Sequence, residues 1–74
     1  MLNLQHVRDR LGPNFEPFII RLTDGRSLEI PHPDFIAVGR GIVVLVDSDD
    51  RTHMIDPLQM VSLDKPASLE RNGG

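Results

Sequence analysis

The chain has 74 residues, a net charge of −3 at pH 7 and no cysteine. This length predicts one small domain with a thin core, and without cysteine neither disulfides nor a thiolate zinc site can supply the missing stability. The N-terminus lacks the features of a secretory signal and no apolar run is long enough to span a membrane, so we expect a cytoplasmic protein. The acidic balance and the three aromatic residues argue against nucleic-acid binding.

The first predicted element is a short helix over residues 4–11. Leu4, Val7 and Leu11 recur at helical spacing. Asn3 is placed to cap the start of the helix, and Gly12, which is followed by a proline, is a stop signal. Such a short helix is not stable alone, so its apolar side must dock on a sheet or on another chain.

Two alternating apolar runs on either side of Asp24-Gly25 predict a β-hairpin. A two-residue turn would place the apolar residues of the two strands on opposite faces. A three-residue loop, Thr23-Asp24-Gly25, instead sets Phe18 opposite Ile30 and brings the apolar side chains together. We therefore predict this loop, with Gly25 in the left-handed conformation that glycine tolerates.

The rest of the chain predicts further short strands separated by turns. These strands cover residues 35–38, 42–46, 51–55 and 59–63, with 42–46 buried on both faces, and Asp56-Pro57 forms a turn. The predicted class is mostly β (α+β): a short N-terminal helix and about five antiparallel strands in an SH3- or Sm-like open barrel. Residues 1–64 form the domain, and 65–74 form a flexible tail.

One polar cluster is a candidate site. His32 and Asp34 lie two residues apart in an extended segment, and with His53 they are a conceivable metal or anion site. The favoured alternative is local: Asp34 caps the turn after Pro33, and His32 packs and hydrogen-bonds nearby. The acidic run 47–50 is interpreted as a hairpin tip, because it lacks the length and the final glutamate of a calcium loop. No metal or cofactor is predicted.

Four apolar residues are candidates for an interface: Phe15, Phe35, Ile36 and Met60. Phe35 and Ile36 are adjacent, so they point to opposite sides of a strand and one of them lies outside the core. Either a partner or the N-terminal helix covers it. Among the arginines, Arg21 is expected to pair across the hairpin with Glu29 on the solvated face.

The sequence offers no catalytic constellation. The serines show no nucleophile-elbow spacing, and Gly39-Arg40-Gly41 precedes a strand rather than the helix that a phosphate-binding loop requires. We expect no catalytic residues and no enzymatic activity.

Three motifs carry a resemblance: Pro17-Phe18 before the first strand, Asp24-Gly25-Arg26 at the turn, and His32-Pro33-Asp34-Phe35 after the hairpin. In these motifs the chain resembles a group of small bacterial proteins to which no activity is assigned. The stretch 22–26 is also similar to the first turn of the Sm-like proteins, which form RNA-binding rings. The asparagine and the basic residue of the Sm pattern have no counterpart here, so this resemblance implies a barrel shape more than an activity.

These observations favour a non-enzymatic interaction module that binds a protein partner or a second copy of itself through a strand edge or an apolar face. The binding residues would include His32, Asp34, Phe35 and Ile36. An Sm-like RNA-binding ring is the alternative function, and a metal site at His32, Asp34 and His53 is the third.

Overall fold

A computed structural model describes residues 2–66 of the chain. Within these residues there are one helix, six strands and two short 3₁₀ turns, so the predicted α+β class is confirmed. The six strands correspond to the two strands of the predicted hairpin and the four predicted after it. The elements are α1 (Leu4–Arg10), β1 (Phe18–Leu22), β2 (Ser27–Ile30), a 3₁₀ turn (Pro33–Phe35), β3 (Ile36–Val38), β4 (Val43–Val46), β5 (Thr52–Ile55), a second 3₁₀ turn (Pro57–Gln59) and β6 (Met60–Asp64).

The strands form two antiparallel three-stranded sheets rather than the predicted barrel. One sheet has the order β2-β1-β6 and the other β3-β4-β5, and no strand pairing joins the two sheets within residues 2–66. The reason lies in the two connections between them. Each connection contains a 3₁₀ turn that begins at a proline, Pro33 in one and Pro57 in the other. Proline lacks the N–H that strand pairing needs, so neither connection continues a strand from one sheet into the next.

The first hairpin has the register that the apolar pattern predicts. Phe18 pairs with Ile30 and Ile20 with Leu28. The loop is closed by two backbone hydrogen bonds, one from the N–H of Leu22 and one from the N–H of Gly25. Gly25 has a φ of 92°, which confirms the three-residue loop with a left-handed third position.

Helix α1 begins and ends close to the predicted boundaries. The side chain of Asn3 accepts hydrogen bonds from the backbone N–H groups of Gln5 and His6, and His6 Nδ1 in turn accepts from the N–H of Asn3. This reciprocal capping box confirms the role of Asn3. The helix ends at Arg10, two residues before Gly12, and Gly12 has no left-handed backbone.

All four strands after the first hairpin differ from their predicted limits or burial. The strand predicted over 35–38 begins at Ile36, because Phe35 closes the preceding 3₁₀ turn. The strand predicted over 51–55 begins one residue later, and the one predicted over 59–63 lies one residue further on. Strand β4 is buried on one face only: Val43 and Leu45 are buried, whereas the side chains between and after them are half-buried.

The core lies between the two sheets and is closed on one side by α1. Helix α1 contributes Leu4 and Val7, and contacts β3. The remaining buried core side chains are Phe18, Ile20, Leu22, Ile30, Val43, Leu45, Ile55 and Met60. Every buried core side chain among the described residues is apolar, so burial of apolar surface is the main force that holds the two sheets together.

The predicted tail over residues 65–74 falls mostly outside the described residues. Lys65 is exposed and Pro66 is buried, and residues 67–74 are not described. Within residues 2–66, no helix has the length and apolar character that crossing a bilayer requires.

Candidate functional site

The His32–Asp34 segment is a capped turn, but the capping residue is not the predicted one. Nδ1 of His32 accepts a hydrogen bond of 3.1 Å from the backbone N–H of Asp34. The prediction that Asp34 caps this turn is therefore wrong. The capping residue is His32, which stands directly before Pro33, the first residue of the 3₁₀ turn, and so occupies the N-cap position. The Asp34 side chain is 87% exposed, while the His32 ring also packs edge-on against Phe35.

His53 does not join His32 and Asp34, as the hypothesis of a metal site requires, but contacts Asp47 instead. Nε2 of His53 lies 2.7 Å from Oδ2 of Asp47, within the β4–β5 hairpin. Among residues 2–66 no group of three histidine, cysteine, aspartate or glutamate side chains is arranged to hold a metal ion. His32, Asp34 and His53 thus do not converge on one site.

Phe35 is the exposed one of the four predicted interface residues, since Met60 is buried and Phe15 is half-buried. Phe35 is 41% exposed, whereas Ile36 is half-buried and packs against the core. Because Phe35 closes a 3₁₀ turn instead of starting β3, its side chain lines a groove beside β2. The predicted division, with one of the two residues outside the core, is confirmed.

The arginines near the first hairpin are engaged with acidic partners. Arg21 forms an ion pair with Asp64 on β6 and donates a second hydrogen bond to Ser27 Oγ. The predicted pair with Glu29 is wrong, because Glu29 lies opposite Ile19 in the register and Asp64 is the nearer carboxylate. The side-chain hydrogen bond from Arg21 lowers the pKa of Asp64 below its usual value.

The turn of the first hairpin holds a second local pair. The backbone N–H of Arg26 and its guanidinium both donate hydrogen bonds to the carboxylate of Asp24. These bonds lower the pKa of Asp24, and the backbone bond has the larger effect. Elsewhere the guanidinium of Arg8 donates to the carbonyl of Gly39, at 2.8 Å. These contacts tie three of the arginines to neighbouring groups instead of gathering them into a basic patch for a phosphate backbone.

The outer face of the β3–β4–β5 sheet is the feature that the sequence reading did not identify. Side chains alternate along a strand, so the register places the following strand residues on the side away from the core: Ala37, Val44, Val46, Thr52 and Met54. None of them is charged, and Thr52 is the only polar one. Met54 is 71% exposed, and Ile42, just before β4, adds a further exposed apolar side chain. We call these six residues the outer apolar face.

The corresponding face of the other sheet has the opposite character. Its register places these residues away from the core: Ile19, Arg21, Ser27, Glu29, Ser62 and Asp64. Apart from Ile19, this face is polar, and it carries the Arg21–Asp64 ion pair, as is typical of a sheet face in water. The two sheets therefore differ in what they present to the solvent: one face is charged and the other is apolar.

A single carboxylate organises the β4–β5 turn. Oδ1 of Asp47 accepts hydrogen bonds from the backbone N–H groups of Asp49 and Arg51, at 2.9 and 3.0 Å. Its other oxygen contacts His53. These bonds, with the one to His53 first, lower the pKa of Asp47. The acidic run 47–50 is thus a hairpin tip, as predicted, with one of its carboxylates directed inward to fix the turn.

Comparison of the chain with protein-family models, with curated proteins and with solved structures gives no match. The resemblances of the turn motifs to known groups therefore remain predictions, and a function has to be argued from the surfaces themselves.

Proposed function

We propose that this chain is a non-enzymatic interaction module whose outer apolar face binds an amphipathic helix of a protein partner. The observation that carries the proposal is the contrast between the two sheets. An antiparallel sheet usually presents polar side chains to water, and the β2-β1-β6 sheet does so. The β3-β4-β5 sheet presents an uncharged face centred on Val44 and Met54. An apolar sheet face that is open to the solvent departs from this rule and is a candidate interaction site.

The size of the face favours a single helix as its occupant. Three strands about 4.8 Å apart and about four residues long, at about 3.3 Å per residue, cover roughly 14 by 13 Å. An α-helix with its side chains is about 10 to 12 Å wide. One helix of two to three turns would therefore cover the face and remove most of its apolar surface from water.

A second copy of the chain fits this face less well. If two copies met face to face, each would contribute only three short strands, whereas stable interfaces bury about 800 Å² of accessible surface from each partner. A helix that belongs to a larger partner can extend its contacts beyond the face. The absence of cysteine in the whole chain supports a setting in the reducing cytoplasm for this module.

The proposal is tested by titrating the isotopically labelled protein with an amphipathic peptide of about 15 residues. The peptide carries leucine at positions i, i+3, i+4 and i+7 and glutamine or alanine elsewhere, so charge plays no part in binding. We expect saturable shifts in the amide signals of Ala37, Val44 and Met54. Met54→Lys should abolish them, because it places a charge within the bound apolar surface.

Val61→Lys is the matched control, since Val61 is also an exposed apolar residue, at 57%, but belongs to β6 of the other sheet. It should leave peptide binding unchanged. Equal loss of binding in the two variants, or shifts scattered over both sheets, would contradict the proposal.

No specific contact among residues 2–66 favours the RNA-binding ring or the metal site, so neither is proposed here as a second function.

A further inference from the structure

A groove of about 480 Å³ lies between β2 and the C-terminal end of β4. Its apolar lining residues are Leu28, Pro31, Phe35, Leu45 and Val46. Three carboxylates, those of Glu29, Asp47 and Asp49, also line it, and none of its lining residues is an arginine, lysine or histidine. The groove therefore combines apolar surface with negative charge, and its volume is in the range of ordinary ligand sites.

One wall of this groove is an unpaired strand edge. Strand β2 pairs with β1 and has no second neighbour among the described residues. Leu22 on β1 and Arg26 just before β2 form a hydrogen-bonded pair, because the N–H of Leu22 donates to the C=O of Arg26. Along an antiparallel ladder, hydrogen-bonded pairs alternate with pairs whose backbone groups point away from each other. The backbone N–H and C=O groups of Ser27 and Glu29 therefore point away from β1, at the edge that borders the groove.

We propose that this groove binds an extended basic–apolar segment of a partner protein as an additional strand on β2. An unpaired edge offers backbone hydrogen bonds to an incoming strand, and the adjoining surface selects its side chains. Residues directly opposite one another share a face of the sheet. The residue opposite Leu28 is therefore apolar and faces the groove floor, and the one opposite Glu29 is lysine or arginine.

The three carboxylates of the groove differ in whether they already have hydrogen-bond partners within the chain. Asp47 is already held by His53 and by two backbone N–H groups. Asp49 and Glu29 are both exposed, so they supply the charge that a basic side chain meets. The same charge repels acidic or phosphorylated segments.

This inference goes beyond the proposed function, because it concerns a second surface with a different chemistry. The groove shares Val46 with the outer apolar face but contains neither Val44 nor Met54. Met54→Lys is therefore expected to leave groove binding unchanged, so failure at one surface can be distinguished from failure at the other.

The test uses the full chain and acetyl-Lys-Val-Lys-Val-Lys-amide as the probe, followed by the amide signals of the labelled protein. We expect saturable shifts at Ser27, Leu28 and Glu29, and weaker binding as salt is raised. Two altered peptides separate the contributions. Glutamate in place of each lysine should abolish binding, and N-methylation of the alternate residues that face β2 should weaken it at least tenfold, because it removes the strand hydrogen bonds.

Glu29→Lys should weaken binding of the lysine peptide at least tenfold, and Asp49→Lys should act in the same direction. The matched control is Glu16→Lys, which makes the same change of net charge at an exposed loop residue outside the groove. An unchanged amide spectrum away from the substituted residue shows that each variant is folded. The proposal is overturned if the methylated peptide binds as well as its parent, if Glu16→Lys weakens binding as much as Glu29→Lys, or if no peptide gives saturable shifts.

Discussion

Nε2 of His53 lies 2.7 Å from Oδ2 of Asp47, so the second residue of β5 is tied to the turn that precedes it. The other oxygen of the same carboxylate accepts two backbone N–H groups of that turn. One side chain thereby fixes the loop and its junction with β5. The groove beside β2 depends on this arrangement, since Asp47 also lines it.

The Asp47 carboxylate makes stability depend on pH in the acid range. Its pKa is lowered in the folded state, chiefly by His53. A lowered folded-state pKa gives stability that is complete above the unfolded value of about 3.9 and is lost as the pH falls through the lower folded value. We expect Asp47→Asn to reduce the fall in melting temperature between about pH 5 and pH 2. Glu16→Gln is the control, and a slope for Asp47→Asn identical to that of the wild type would refute this role.

The two hairpin loops share one geometry but use different residues at the left-handed position. Gly25 occupies it in the first loop and Asp50, with a φ of 63°, in the second. The backbone bonds match: N–H of Leu22 to C=O of Arg26 in one loop, and N–H of Asp47 to C=O of Arg51 in the other. The same closure is therefore made once with glycine and once with a side chain that costs strain.

Paired substitutions at these positions should act in opposite directions. Gly25→Ala is expected to lower the free energy of unfolding by about 1–2 kcal/mol, since alanine is strained at this φ and no neighbouring atom would obstruct its Cβ. Asp50→Gly should raise it by up to about 1 kcal/mol through relief of the same strain. Urea denaturation measures both changes. A neutral Gly25→Ala would show that the first loop is not held in this conformation.

The capping box of α1 should be measurable as a contribution to stability. Asn3→Ala removes the acceptor for two helix N–H groups, and we expect a loss of about 1 kcal/mol. Asn14→Ala, at an exposed loop residue, is the matched control. Thermal unfolding followed by circular dichroism gives the comparison, and equal melting temperatures for the two variants would exclude a stabilising cap.

Local patterns predicted the parts of the fold that local chemistry decides. The register that pairs Phe18 with Ile30 followed from apolar alternation, and the role of Asn3 followed from its place before the helix. The predicted closure of the strands into a barrel is wrong, because closure depends on whether the connections continue the strands from one sheet into the other. Pro33 and Pro57 begin 3₁₀ turns there, and the sheets remain separate.

The candidate surfaces were harder to predict for a related reason. The adjacency of Phe35 and Ile36 predicts only that one of the two lies outside the core, and the structure shows that it is Phe35. The outer apolar face joins residues of three strands, such as Ala37, Val44 and Met54, and it becomes visible only once their register is known. The predicted partner of Arg21 is wrong for the same reason. Its actual partner, Asp64, is 43 residues away in the chain and comes close only through the pairing of β1 with β6.

The outer apolar face is tested most directly by site-specific photo-crosslinking in cells that express the chain. A benzophenone side chain replaces Met54 in one variant and Val61 in another, and the crosslinked partner segments are mapped by mass spectrometry. We predict that position 54 crosslinks to an amphipathic helix through its apolar side, and that an excess of the unmodified chain competes. Crosslinks of equal yield to the same segments from position 61, or none from position 54, would contradict the proposed binding face.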